Sequence, residues 1–192
     1  MQDVIEAAET VADFEALLNS IAGSLDAPRR AVAALSQVRK GVITGEGPST
    51  SGRVHYSRCL DAADAALIRR ILTAVGDRAV TRAEADALFD IHDAALERAD
   101  GGAFDELFVK AIAHHVLTQA GFRAPARRSA LAPTTPVASW GASHRVGGEA
   151  AAWLASRLRR KSGKGTALAQ LSALIGASPR SDSVATVVDL AA

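Results

Sequence analysis

Residues 78–119 read RAVTRAEADALFDIHDAALERADGGAFDELFVKAIAHHVLTQ, and this stretch predicts two amphipathic helices joined by one turn. Thr81 and Glu84 form a capping box, because the hydroxyl and the carboxylate can each satisfy a backbone N–H at the start of the first helix. The turn falls at Asp100-Gly101-Gly102. Residues at three- and four-residue spacing then line one stripe of the second helix: Phe104, Leu107, Phe108, Ala111, Ile112 and His115. A helical hairpin is therefore predicted at the centre of the fold.

The composition favours a compact all-α helical bundle. The chain has 192 residues, of which 48% are apolar and only 4% aromatic, so one core can be built mainly from small and aliphatic side chains. Alanine, the strongest helix former, is the most frequent residue. The 22 basic and 21 acidic residues nearly cancel, so the overall charge gives no case for nucleic-acid binding.

The sequence also predicts a cytoplasmic protein that does not associate with membranes. Cys59 is the single cysteine, which rules out an internal disulfide and fits a reducing compartment. The first 20 residues are acidic and amphipathic, unlike the basic and then apolar pattern of a signal peptide. No stretch approaches the roughly 20 apolar residues that are needed to span a bilayer.

Three further helices are predicted before the hairpin. Apolar periodicity indicates one over residues 3–21, a second from an Asp26 cap to a stop at Gly41, and a third over residues 60–76. The Gly- and Ser-rich residues 41–57 predict an irregular loop. Together with the hairpin, these helices form a predicted bundle over residues 1–120.

The remainder of the chain predicts a linker and a C-terminal helix pair. Prolines 125, 133 and 136 indicate a partly extended linker over residues 121–147. Residues 148–192 predict two short helices and a tail, which are too few to form a core of their own. We therefore expect the pair to pack on the bundle as one domain, with Trp153 buried at the contact.

His92 and His115 are the candidate metal ligands. His115 lies on the apolar stripe of its helix, whereas His114 lies on the opposite side with Lys110. The pattern thus predicts a buried, internally hydrogen-bonded His115 and a mostly exposed His114. His92 and His115 could hold zinc or iron together with a carboxylate, but no ExxH spacing supports this interpretation. The sequence predicts no cofactor.

Charge placement points to a basic C-terminal segment. Residues 121–165 carry nine basic side chains and one acidic side chain. The candidate partner-binding residues are Arg127, Arg128, Arg157, Arg159, Arg160, Lys161 and Lys164. They either dock the segment on the acidic bundle, which is the favoured interpretation, or reach for nucleic acid or an acidic partner.

One family resemblance comes from the hairpin itself. The runs AVTRAEADALF at 79–89 and FDELFVKA at 104–111 resemble the helix pairs of TerB-like proteins, a helical family linked to tellurite resistance and stress response. They are also similar to helical proteins of proteobacteria. The resemblance implies a compact helical module that works through binding, and it carries no site residue over to this chain.

A non-enzymatic protein-interaction or regulatory module is therefore the expected function, with another protein or a second copy of the chain as partner. Two alternatives remain open. The basic C-terminal segment would suit a nucleic-acid-binding protein, and a metal-dependent enzyme would use the bundle histidines and carboxylates.

Overall fold

The computed structural model describes residues 11–22, 24–44, 59–95, 97–98, 102–136, 146–159 and 166–174. Its elements in chain order are α1 (Val11–Ile21), α2 (Ala27–Thr44), β1 (Cys59–Leu60), α3 (Ala62–Ala74), α4 (Arg82–Ala94), β2 (Glu97–Arg98), α5 (Ala103–Gln119), α6 (Arg127–Ala130), α7 (Gly148–Arg159) and α8 (Thr166–Leu174). The predicted all-α architecture is confirmed. None of the described helices has the length and apolarity that crossing a bilayer requires.

Helix α5 lies at the centre of the bundle. It contacts α3, α4, α6, α7 and α8, and it is buried at Phe104 and at every position from Leu107 to Leu117. The predicted apolar stripe is correct but too narrow, because all faces of the helix are covered. Between Leu107 and Leu117 only Lys110, His114 and His115 are polar, a composition typical of a helix that is buried all round.

The start of α4 confirms the predicted cap. The Thr81 hydroxyl accepts a hydrogen bond from the Glu84 N–H at 3.3 Å, and the Glu84 carboxylate accepts one from the Thr81 N–H at 2.8 Å. Helix α3 begins with a second reciprocal cap, between Asp61 and Asp64. Side chains close to these starts therefore fix where both helices begin.

The connection from α4 to α5 differs from the predicted short turn. Helix α4 already ends at Ala94, and the following Ala95 is extended with φ −77° and ψ 109°. Glu97–Arg98 then pairs in parallel with Cys59–Leu60. Gly102 has a φ of 88° and precedes α5, as a glycine at a turn allows. Asp100 and Gly101 lie outside the described residues.

The boundaries of the earlier helices agree only in part. Helix α2 continues past Gly41 to Thr44, so the predicted stop is wrong. An interior glycine costs a helix only about 1 kcal/mol relative to alanine, which tertiary contacts can offset. Helix α3 ends as predicted, with Gly76 at a φ of 86° two residues after Ala74. Residues 3–10 of the first predicted helix and residues 45–57 of the loop lie outside the described residues.

Residues 122–136 are a firmly attached part of the bundle rather than a simple linker. The segment contains the one-turn helix α6, and its backbone carbonyls accept hydrogen bonds from side chains of α3 and α5. Arg69 donates to the Leu131 carbonyl at 3.0 Å, and the buried Lys110 ammonium donates to the carbonyls of Ala132 and Pro133 at 2.5 and 3.1 Å. Irregular backbone has to find such partners when it is buried.

The C-terminal helices dock on the bundle, as the sequence predicts. Trp153 and Leu154 of α7 and Leu168 and Leu171 of α8 are buried in the same core cluster as α5. The Trp153 ring lies edge-on to Phe89, with ring centroids 5.9 Å apart. The two helices therefore extend the core of the bundle. Arg160 to Gly165, between the helices, and the tail after Leu174 lie outside the described residues.

Replacing Thr81 by alanine should lower the free energy of unfolding by roughly 1–2 kcal/mol, because the two hydrogen bonds of the Thr81 hydroxyl with Glu84 are lost. Urea titration followed by circular dichroism measures this change. Thr81→Ser keeps the hydroxyl and serves as the control, with an expected loss below about 0.5 kcal/mol. Equal stability of the alanine variant and the native chain would contradict the role of the cap.

Replacing Trp153 by alanine should cost about 3–5 kcal/mol, because a large buried ring leaves a cavity between α7 and the bundle. Thermal and urea unfolding of the full chain measure the loss. Arg159→Ala changes an exposed residue of the same helix and should stay within about 0.5 kcal/mol. A Trp153→Ala variant as stable as this control would mean that α7 contributes nothing to the core.

Candidate functional site

Two adjacent histidines of α5 hold the backbone of one residue, Val80. The Val80 N–H donates to His114 Nδ1 at 3.4 Å, and the Val80 carbonyl lies 2.8 Å from His115 Nδ1. The other ring nitrogen of His114 lies 3.0 Å from the Pro125 carbonyl. The imidazole of His114 therefore links the residue before the α4 cap to the 122–136 segment.

The partners assign opposite tautomers to the two rings. A carbonyl oxygen only accepts, so His114 carries its proton on Nε2 and its Nδ1 is the acceptor for the Val80 N–H. By the same reasoning His115 carries its proton on Nδ1. Burial is the main cause that lowers the pKa of both imidazoles below the ordinary 6.5, although the backbone hydrogen bonds act to raise it. The arrangement requires a neutral His114.

The prediction for His115 is confirmed and the prediction for His114 is wrong. His115 is 3% exposed and hydrogen-bonded inside the protein, but His114 is also only 2% exposed. The helical wheel places His114 opposite the apolar stripe correctly. That side of α5 is nevertheless covered, because residues 77–80 and the 122–136 segment pass over it.

A buried ion pair joins α4 to the 122–136 segment. Arg127 Nη2 donates to Glu84 Oε1 at 2.6 Å, and both side chains are 0% exposed. The second carboxylate oxygen of Glu84 accepts from the N–H and the hydroxyl of Thr81 at 2.8 and 2.9 Å. The capping carboxylate is thus also the counter-ion of Arg127. The Nε and Nη1 atoms of Arg127 have no hydrogen-bond partner among the described residues.

A second polar group fixes α7. Asp86 of α4 accepts from the indole N–H of Trp153 at 3.1 Å and from Arg157 Nε at 2.9 Å. Arg82 lies over the Trp153 ring, with its guanidinium carbon 5.6 Å from the ring centroid. His115 packs edge-on against the same ring at 4.9 Å. The charged residues around Trp153 therefore hold α7 against the bundle. The sequence predicts this docking.

The candidate metal ligands do not converge. His92 packs on Phe108 with ring centroids 4.7 Å apart, whereas His115 packs on Trp153. His115 lies seven residues after Phe108, which corresponds to roughly 10 Å along the axis of α5. Two ligands of one zinc ion each lie about 2 Å from it, whereas these two rings pack against different aromatic side chains. The described residues also contain no group of three or more His, Cys, Asp or Glu that could bind a metal.

The basic candidate residues have different environments in the structure. Arg127 is buried in its ion pair, so its role as an accessible partner-binding residue is wrong. Arg157 is bound to Asp86, and its Nη1 lies 4.0 Å from Asp90. Arg128 and Arg159 are exposed. Arg160, Lys161 and Lys164 lie outside the described residues. Among the candidates that the structure describes, only Arg128 and Arg159 are therefore exposed.

Three exposed arginines instead lie on two segments of the bundle that hydrogen bonds bring together. Arg78, Arg123 and Arg128 are exposed, and none forms an ion pair with another described residue. The Arg128 N–H donates to the Asp77 carboxylate at 3.3 Å, which brings the residues before α4 next to α6. The His114 ring links Val80 to Pro125, two residues after Arg78 and Arg123 respectively. We call these three residues the arginine end.

Sequence reasoning missed several residues that define this region. No local pattern marks Arg127 or Glu84 as an ion pair, because 43 positions separate them in the chain. The burial of His114 did leave a signal, since α5 has too few polar residues for an exposed face. The arginine end also has no local signature, because folding brings together residues from two segments that are far apart in the chain.

Comparisons with protein-family models, with curated proteins and with solved structures found no match to this chain. The resemblance to TerB-like proteins therefore stays a prediction from the hairpin residues.

Removing one partner of the buried ion pair should be strongly destabilising. Arg127→Met leaves the Glu84 carboxylate buried without its counter-ion, and we expect a loss of about 3–5 kcal/mol in the free energy of unfolding. The double variant Glu84→Gln/Arg127→Met should recover much of this loss, because it removes the uncompensated charge while an amide can still cap α4.

Urea titration of the single and double variants measures the coupling between the two positions. Arg128→Met is the matched control, because it changes an exposed arginine next to Arg127 and should shift stability by no more than about 0.5 kcal/mol. Additive effects of the two substitutions would contradict a direct ion pair.

Proposed function

We propose that this chain is a non-enzymatic protein-interaction module that binds an acidic partner through its arginine end. The supporting observation is that some of its charged residues bind other parts of the protein, whereas others are exposed. Glu84, Arg127 and Asp86 are engaged in holding elements together, whereas Arg78, Arg123 and Arg128 are exposed. Exposed guanidinium groups that form no ion pair with another described residue, and that lie on firmly held backbone, suit bidentate recognition of carboxylates.

An acidic protein suits this surface better than a nucleic acid. The carboxylate of Asp77 accepts the Arg128 N–H, so this surface carries an acidic group as well as arginines. Single-strand binding also relies on exposed aromatic side chains, and the only large hydrophobic side chain exposed among the described residues is Leu25. The proposed partner is therefore a protein segment rich in Asp and Glu.

The resemblance to TerB-like proteins supports a regulatory, stress-related role in bacteria. The single cysteine supports a cytoplasmic location, since no internal disulfide is possible. We do not favour the metal-dependent enzyme, because His92 of α4 and His115 of α5 pack against different aromatic side chains.

Binding to a fluorescent poly-glutamate peptide tests this proposal. We expect fluorescence anisotropy to show binding at low salt that weakens as salt rises, because exposed ion pairs are screened. Arg123→Glu/Arg128→Glu should reduce the affinity at least about tenfold, since each reversal replaces attraction by repulsion.

The matched control is Arg29→Glu/Arg159→Glu, which makes the same change in net charge at exposed arginines elsewhere. It should bind like the native chain. Equal losses of affinity in both double variants would mean that binding depends only on net charge, and would contradict a defined binding surface. Tighter, more salt-resistant binding of a single-stranded oligonucleotide than of the peptide would favour the nucleic-acid alternative.

A further inference from the structure

His114 has no spare hydrogen-bonding capacity in its neutral state. Its Nε2–H faces the Pro125 carbonyl at 3.0 Å, and its Nδ1 lone pair faces the Val80 N–H at 3.4 Å. A second proton has to bind at Nδ1. It would then point at another donor, which is a repulsive contact inside a buried site.

His115 provides an internal contrast. Its Nδ1 already donates to the Val80 carbonyl at 2.8 Å, so a second proton binds at Nε2 and leaves that bond in place. Protonation of these two adjacent histidines therefore has different effects on their contacts with Val80. Only protonation of His114 breaks a contact to Val80.

We propose that His114 is an acid-sensitive clip, whose protonation releases Val80 from Pro125 of the 122–136 segment. The clip joins Val80 to Pro125, and the two strands of chain it joins are irregular, so their separation does not require a helix to unfold. This opening would occur whether or not the arginine end binds a partner.

The surroundings of His114 set the direction of the pH dependence. Arg127 of α6 and His115 of α5 disfavour the proton, Glu84 of α4 favours it, and burial of the ring is the largest influence and disfavours it. The pKa of His114 is thus lower in the closed state than in the open state, where it returns towards 6.5. Above that pH the two states bind equal numbers of protons. Below it the open state binds more, so opening becomes easier as the pH falls.

The amide proton of Val80 reports on the clip directly. We would measure its hydrogen exchange by NMR in the full chain at about pH 7.5 and about pH 5, which bracket histidine titration. After correction for intrinsic exchange rates, protection should fall by up to roughly 30-fold, because an open state with a pKa near 6.5 gains about tenfold per pH unit below it.

His114→Gln separates the clip from general acid effects. Glutamine offers an amide acceptor and donor but does not titrate, so Val80 should be protected equally at both pH values. His115→Gln is the control and should keep the native fall in protection. An unchanged protection of Val80 in the native chain, or an equal fall in His114→Gln, overturns the proposal.

A measurement on the native chain covers the case in which His114→Gln does not fold. Ring nitrogen shifts of ¹⁵N-labelled protein identify the tautomer and the protonation state of each histidine. We expect His114 with its proton on Nε2 at about pH 7.5, and loss of Val80 protection that follows protonation of this ring. A proton on Nδ1 of neutral His114, or a charged His114 beside a still protected Val80 amide, overturns the proposal.

Discussion

The burial of α5 on all sides is the constraint on which the rest of the structure depends. A helix in this position cannot turn its polar side chains to water, so each one has to find a partner inside the protein. Lys110, His114 and His115 all do so by bonding backbone groups of irregular segments. The central helix therefore organises the chain around it in two ways: its apolar residues pack against helices, and its polar residues hold the connections between them.

This arrangement explains why residues 122–136 follow a defined path without regular secondary structure. Their carbonyl groups face donors on α3 and α5, and α6 contributes Arg127 to the interior. A buried ion pair gives little net stability, because desolvation of both charges offsets their attraction. Its geometric requirement is strict, however, because a displaced segment would leave Glu84 buried without its counter-ion. The pair thus acts mainly by fixing where the segment lies.

Charged side chains that hold the elements together can likewise be distinguished from those that are available for binding. The Asp86 carboxylate is shared between Trp153 and Arg157 and keeps α7 against the bundle. The docking interpretation of the basic C-terminal segment is therefore correct for Arg157, while Arg127 docks its own segment. Arg78, Arg123 and Arg128 are left at the surface, at an end of the bundle whose backbone is held by His114. This combination of a fixed scaffold and guanidinium groups without an ion-pair partner in the described part of the chain is the physical basis of the proposed interaction surface.

The sequence by itself determined the features that depend on neighbours in the chain. Capping at Thr81 and the end of α3 near Gly76 follow from groups within about one turn, which are close whatever the rest of the fold does. Apolar periodicity also predicted that His115 and Trp153 are buried, but not which residues cover them. Only the tertiary structure decided which faces of α5 are covered, that His114 meets Val80 and Pro125, and that Arg127 lies beside Glu84. These contacts join residues separated by up to 43 positions, and their partners become defined only when packing has fixed the paths of α3, α4 and the 122–136 segment around the central helix.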